Sequence, residues 1–397
     1  MKVLTAFAIW LVLAFTVQPL ANAQEPDVEC RVPQALEEIP DDASGAYWSL
    51  PQQNYRQRLH SLATGKNIRV AVIDTGVSPH PDLPRVEAGS DLVTPSNPNP
   101  LFDCDVHGTI VAGIIGGQTY GIAPDVTIDS IRQTSSHYRS ADSGSPDSAA
   151  GTLSSLADSI EDAINREADL INISVVSCVP GKFARSVDSQ RLEEVLRRAE
   201  SSGVLVVAAA GNREGQCVPG ARVYPADFPT VITVAALESS YSLADYSLVA
   251  SHREYPGSLL LSAPGQVDIG LSTFQSGYSS GTAGPNSDSE PFKGTSFAAP
   301  VITGTLALLL ERYPDLSPAE IREILRQSAD PVTGAVDPLS TVEFLPSQDN
   351  SLNIGYSYTV PASTSNEKTN YAGIVVIALL GVLALFAATV TGVRRHP

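Results

Sequence analysis

The sequence predicts an α/β protein: a mainly parallel sheet with helices on both faces. Two observations predict it. Between residues 67 and 346, short apolar runs alternate with helical patterns. The runs are apolar throughout, as strands buried on both faces are. A third observation fits: a lone acidic residue, Asp74, closes the first of these runs, where α/β sheets place their sites.

Residues 68–73 read as that buried strand, ending at Asp74. Residues 107–117 form a Gly/Ala-rich helix, 152–168 an amphipathic helix and 170–176 a strand. A helix with a charged face follows at 186–202, then strands at 204–209, 230–236 and 259–263. Ser296 opens a long apolar helix to about Tyr313, with Pro300 placed in its first turn. Ser317, Pro318 and Glu320 make a capping box with proline at the first helical position. Residues 133–151, 211–222 and 271–293 lack periodicity and read as surface loops.

Both ends stand apart from this core. Lys2, an apolar stretch over 3–17 and Ala21-Asn22-Ala23 read as a signal peptide over 1–23. Residues 371–393 are uncharged, and at 1.5 Å per residue they span a bilayer core of about 30 Å. Arg394 and Arg395 follow as a stop-transfer signal, which places a tail of 394–397 in the cytoplasm and the body outside. The expected organisation is a signal peptide (1–23), an N-terminal extension (24–59), a core α/β domain (60–346), a stalk (347–370), a transmembrane helix (371–393) and the tail.

The segment 24–370 keeps 22 of the 25 basic residues and all 43 acidic ones, a balance of −21. Such a surface argues against nucleic acid or anionic lipid as ligand. Four cysteines in an exported chain imply two disulfides, and sequence alone permits three pairings. Cys178–Cys217 is favoured because each follows a core strand closely, which leaves Cys30–Cys104. No spacing suggests a metal site, and Asp91, Asp103 and Asp105 read as scattered loop carboxylates; neither metal nor cofactor is expected.

Three segments carry chemistry. Asp74-Thr75-Gly76 supplies a carboxylate, His107-Gly108-Thr109 an imidazole and Gly294-Thr295-Ser296 a hydroxyl at a helix N-terminus. Each has an ordinary use alone; together they form an Asp-His-Ser set in which His107 serves as general base and Ser296 as nucleophile. Ala208-Ala209-Ala210-Gly211-Asn212 ends a buried strand in an amide donor. Asn212 and the Ser296 N–H are the candidate oxyanion hole.

On these segments the chain resembles the subtilisin-like serine proteases (subtilases) over roughly residues 60–335, with the chain order Asp, His, Ser of subtilisin. The Tyr224-Pro225-Ala226 turn, often cis in the family, adds to the likeness. The four cysteines, the signal peptide, the anchor, Cys104-Asp105-Val106-His107 and the segment from Asn172 to Cys178 resemble one subgroup, the mycosins of type VII secretion systems. The resemblance implies an extracytoplasmic, membrane-anchored endopeptidase acting on secreted type VII proteins beside a membrane-embedded secretion complex. A mainly structural part in that complex, with catalysis dispensable, is the alternative. It also implies a substrate wall of Ser174, Val175, Val176, Ala210 and Gly211. Here the chain departs from the family's Ser-Leu-Gly-Gly: Val176 replaces a glycine and narrows the pocket.

Overall fold

The computed structural model describes residues 26–36, 52–138, 151–239, 242–249, 260–274, 277–283 and 289–344. The expected signal peptide, stalk, transmembrane helix and tail lie outside the described residues. Among the described residues no helix is long and apolar enough to cross a membrane.

An arm carrying β1 (Pro33–Ala35) comes first, then α1 (Gln52–Leu62). This helix straddles the boundary expected at residues 59 and 60. β2 (Arg69–Asp74), β3 (Val86–Asp91), α2 (His107–Gly116) and β4 (Thr127–Arg132) follow. Next come α3 (Leu153–Asn165), β5 (Leu170–Ile173), β6 (Ser177–Val179), α4 (Gln190–Ser201) and β7 (Leu205–Ala209). β8 (Arg222–Tyr224) precedes the cis Tyr224–Pro225 peptide, then β9 (Val231–Ser239), β10 (Ser242–Leu243) and β11 (Leu260–Pro264). β12 (Gln266–Val267), β13 (Gly270–Leu271), β14 (Tyr278–Ala283) and β15 (Ser289–Lys293) lead into α5 (Thr295–Arg312), α6 (Pro318–Ser328) and α7 (Pro338–Glu343).

The main sheet runs β10-β9-β7-β5-β2-β4-β3, with β11 also on β9; every pairing except β10 on β9 is parallel. Side chains alternate between two cores with the period of two that a pleated strand imposes. Val70 and Val72 of β2 join the core under α2 and α5, whereas Ala71 and Ile73 join the core under α3 and α4. In the same way Leu205, Val207 and Ala209 of β7 face α5, and Val206 and Ala208 face α4. Ser317 and Glu320 cap α6 reciprocally, as expected.

Several elements differ from the sequence reading. The strand expected over 170–176 ends at Ile173, and the helix expected from 186 starts at Gln190. β4 was not expected because Asp129, Ser130 and Arg132 break its apolar pattern. All three are buried and each finds a partner: Arg69 and Arg166 pair with Asp129 Oδ1, Ser130 donates to the Pro100 carbonyl, and Arg132 Nη1 pairs with Asp91. The stretch 271–293, read as a loop, supplies β14 and β15 of a second, antiparallel sheet ordered β1-β14-β15-β12. Its sequence is half polar and rich in Gly, Ser and Pro. Pairing with the arm, a long-range contact, makes it a sheet.

Both expected disulfides are present, Cys30–Cys104 and Cys178–Cys217. The first ties the arm to the loop before α2, helped by Arg31 N–H donating to the Cys104 carbonyl at 3.0 Å. The second closes a sequence separation of 39 residues. Loop entropy for that length gives roughly 4 kcal/mol. Replacing Cys178 and Cys217 by serine is therefore expected to lower the Tm strongly in a thermal melt, and a variant melting with the parent would show that the unfolded chain gains little freedom.

Candidate active site

Asp74 ends β2, which lies between β4 and β5. The chain runs first to the edge strand β3, returns to β4 beside β2 and then crosses to β5 on the other side. The C-terminal edge of β2 is thus the switch point where a crevice opens. The Asp74 side chain is fully buried, while that of His107 is 25% exposed. The buried carboxylate can only accept, so His107 donates Nδ1–H to Asp74 Oδ1 at 2.6 Å. This leaves Nε2 as the free base of the ring. Thr75 N–H also reaches Oδ1 at 2.8 Å. Burial works against the imidazolium, but the Asp74 charge and hydrogen bond outweigh it, and the His107 pKa is raised above its ordinary 6.5.

This closeness demands particular neighbours. A Cβ on Gly108 would stand 2.1 Å from the Gly76 carbonyl and 3.1 Å from Asp74 Cβ. Val106, just before His107, holds φ at 67°, a left-handed conformation that a β-branched residue adopts only under constraint. The constraint comes from both sides. Cys104 is bonded to the arm, and the buried Asp103 carboxylate grips the start of α2. Asp103 Oδ2 accepts Thr109 N–H at 2.8 Å and the Thr109 hydroxyl at 2.7 Å, and Oδ1 accepts the Thr75 hydroxyl at 2.8 Å. Burial pushes the Asp103 carboxyl up to about 6, against the pull of these hydrogen bonds, and the nearby Asp74 charge adds to the rise.

Ser296 is the second residue of α5, after Gly294. Pro300 stands four residues on, in the second turn and not the first as expected. It has no N–H, so the Ser296 carbonyl loses its helical partner. Ser174 fills the gap by donating Oγ–H to that carbonyl at 2.8 Å. Asn172 in turn donates Nδ2–H to Ser174 Oγ at 2.9 Å, and Thr303 of α5 donates to Asn172 Oδ1 at 2.8 Å. A buried polar chain thus fixes the backbone of Ser296 to the end of β5. Proline at that spacing was the available signal for a side-chain donor; which residue supplied it was not legible.

Asn212 is held by its oxygen: Oδ1 accepts Thr295 N–H at 2.9 Å and the Thr295 hydroxyl at 3.1 Å. Its NH2 end is left as a donor. A Cβ on Gly294 would lie 2.9 Å from that nitrogen, so the glycine leaves the amide room.

Asp105, His107, Ser174, Val175, Val176, Asn212, Ser296 and Phe297 share the lining of one cleft of about 700 Å³. The His107 and Phe297 rings stand 5.2 Å apart, which sets the imidazole against the first turn of α5. Ser174 has the further role just described. Ala210 and Gly211 are buried behind the wall. Val176 Cγ2 lies 3.7 Å from where a Cβ of Gly211 would stand. Among the described residues no group of His, Cys, Asp and Glu could hold a metal ion.

A parallel sheet with a buried carboxylate–imidazole pair at its switch point and a serine at a helix start is the frame of a subtilase. The subtilase family model (Peptidase S8) matches residues 65–364, and the chain belongs to that family. Mycosin-4 of Mycobacterium tuberculosis is 37% identical over 296 residues, which cover 70% of this chain and 63% of that relative. The chain therefore matches somewhat under two thirds of mycosin-4. The crystal structure of MycP1 from the ESX-1 type VII secretion system is similar with a TM-score of 0.70 and 30% identity, covering 81% of this chain and 91% of that one. A chain in the intact ESX-5 inner membrane complex is similar with a TM-score of 0.71 and 26% identity, covering 93% and 94%.

The raised Asp103 pKa has a consequence for stability. A carboxyl raised on folding stabilises the native state most below its ordinary pKa of 3.8 and loses that contribution as pH rises through about 6. At alkaline pH the buried charge costs on the order of 1–3 kcal/mol. Asp103→Asn is expected to raise the Tm at pH 8, and the gain should shrink as the pH is lowered toward 4. Thermal melts across that range check this; a gain independent of pH would mean that the charge is not what strains the native state.

Proposed function

We propose that the chain is a serine endopeptidase whose nucleophile is Ser296. The observation that carries this reading is the 2.6 Å Asp74–His107 contact in one cleft with Ser296. His107 Nε2 takes the Ser296 hydroxyl proton as Oγ attacks the substrate carbonyl, and Asp74 holds the tautomer and stabilises the imidazolium. Asn212 Nδ2–H and the Ser296 N–H donate to the oxyanion. The imidazolium then protonates the leaving amine, and water hydrolyses the acyl-enzyme by the same base. Ser174, Val175 and Val176 wall the cleft on the side of β5, where an extended peptide would lie. Val176 restricts what fits.

The signal peptide over 1–23, the extension over 24–59, the stalk over 347–370 and the transmembrane helix over 371–393 complete the proposal. They place the peptidase domain, residues 60–346, outside the plasma membrane on a single anchor. The likeness to MycP1 supports a role beside a type VII secretion complex, with secreted proteins of that system as substrates. A second reading, in which the domain serves mainly as a structural part of such a complex, draws on the 93% coverage by a chain of the ESX-5 inner membrane complex.

A fluorophosphonate probe tests the first reading on the full-length chain. The parent is expected to be labelled and Ser296→Ala not; labelling of both would remove Ser296 as nucleophile. Secretion that survives Ser296→Ala in a cell would favour the structural reading. Asn212→Ala should lower the peptidase rate by about 10²–10³, the cost of removing such a donor from subtilisin. Because His107 must be neutral to accept a proton, the rate should fall as pH drops through its raised pKa. A rate flat through that range would argue against His107 as the base.

A further inference from the structure

Asp103 has no part in the scheme above, yet it sits one hydroxyl away from Asp74. Thr75 Oγ1 lies 2.8 Å from Asp103 Oδ1 and 3.2 Å from Asp74 Oδ1. It also accepts Gly108 N–H at 3.0 Å. A hydroxyl has one hydrogen, so the two carboxylates compete for it. Among the described residues nothing else reaches the far side of Asp74: its buried Oδ2 has no hydrogen-bond partner there. The contacts to Asp74 therefore converge on Oδ1, the atom that holds His107.

We propose that Asp103 is a positioning residue for the reaction: through the Thr75 hydroxyl it sets how much negative charge Asp74 presents to His107. This rests on Asp74, His107 and Ser296 acting as described. With Asp103 ionised, the Thr75 hydrogen goes to the nearer carboxylate, and Asp74 Oδ1 keeps its charge for the imidazole. With Asp103 protonated, the arrangement reverses. Oδ2 accepts two short bonds from Thr109, whereas Oδ1 accepts Thr75 and a longer bond from the Asp105 N–H at 3.2 Å. The added proton therefore sits on Oδ1, at the expense of that weaker contact. It is donated to Thr75 Oγ1, and Thr75 turns its own hydrogen to Asp74 Oδ1. Asp74 is then partly neutralised and His107 becomes a weaker base.

The surroundings allow such a change near neutral pH. The titratable groups around Asp103 are Asp74 on β2, Asp105 on its own loop and His107 on α2. The remaining contacts are hydroxyls and amides: Thr75, Thr109, the Asp105 N–H, which donates to Oδ1 at 3.2 Å, and Ser78, whose Oγ accepts Asp103 N–H at 3.2 Å. No described cation pairs with Asp103, and its pKa of about 6 places the transition within reach of ordinary conditions. The charge of Asp103 also helps raise the pKa of His107.

Asp103→Asn reproduces the protonated state. Its carbonyl can take the two Thr109 donors while its NH2 donates to Thr75, and, as in the protonated acid, the longer contact from the Asp105 N–H is given up. The test is the rate of fluorophosphonate labelling of the full-length chain across pH 5–9, for the parent, Asp103→Asn, Thr75→Val and the double variant. Asp103→Asn is expected to move the midpoint of the acid limb down by about 0.5 in pH or more. The alkaline plateau should fall roughly three- to tenfold. In the Thr75→Val background the same substitution should move the midpoint by less than half as much. An unmoved midpoint, or effects of the two substitutions that simply multiply, would overturn the proposal. If the parent is not labelled, or Ser296→Ala still is, the reading of the site itself fails and this one with it. Should Asp103→Asn not fold, the His107 Nδ1 proton resonance decides. In the parent its shift should move in two steps with pH. The step near 6 should persist in Thr75→Ser and vanish in Thr75→Val, whereas a single step in the parent overturns the proposal.

Discussion

Asp74 carries its carboxylate at a position with no exposed side-chain surface, and the site follows from how that charge is matched. Burying a lone charge is costly. His107 at 2.6 Å and the Thr75 N–H offset that cost. To bring the imidazole that close, α2 must start almost on top of β2, which is why residue 108 has no room for a Cβ. Starting the helix there forces Val106 into its left-handed conformation. That strain, of order 1–3 kcal/mol, is held by Asp103 capping the helix from inside and by the disulfide at Cys104 from outside.

The nucleophile is positioned from the other direction. α5 lies almost wholly within the core, so its axis is set by packing against the sheet. Its first turn is set by hydrogen bonds. Pro300 frees one carbonyl, Ser174 takes it, and Thr295 is clamped by Asn212. The result couples the end of β5, the end of β7 and the start of α5 through side chains that also border the cleft. A substrate strand lying along Ser174–Val176 would touch the same segment that fixes Ser296.

The parts of this arrangement that lie in one stretch of sequence were legible. A strand that ends in Asp74-Thr75-Gly76, a glycine after His107 and a serine opening an apolar helix each announce themselves locally. The chain order and the cysteine pairing followed. What was not legible depends on burial made by distant segments. Asp103 read as a loop carboxylate, because its meaning arises only when Thr75 and Thr109 converge on it. β4 hid behind Asp129, Ser130 and Arg132, polar residues that a central strand tolerates only when each finds a partner. β14 and β15 have too little apolar pattern to be strands on their own, and became so by pairing with each other and with the arm.

The arm bears on how the site is kept intact. Cys104 lies between Asp103 and Asp105, so the Cys30–Cys104 bond fastens the arm to the loop that carries both carboxylates. β1 adds an edge strand to β14, and Arg31 reaches Thr282 at 3.4 Å. Cutting the backbone between the arm and α1 would not release the arm, since the disulfide survives proteolysis. Departure would need reduction as well. The arm is thus tied to the framework of the site by the disulfide and by β1 on β14. Losing it would free the Asp103 loop, and with it the constraint that holds His107 against Asp74.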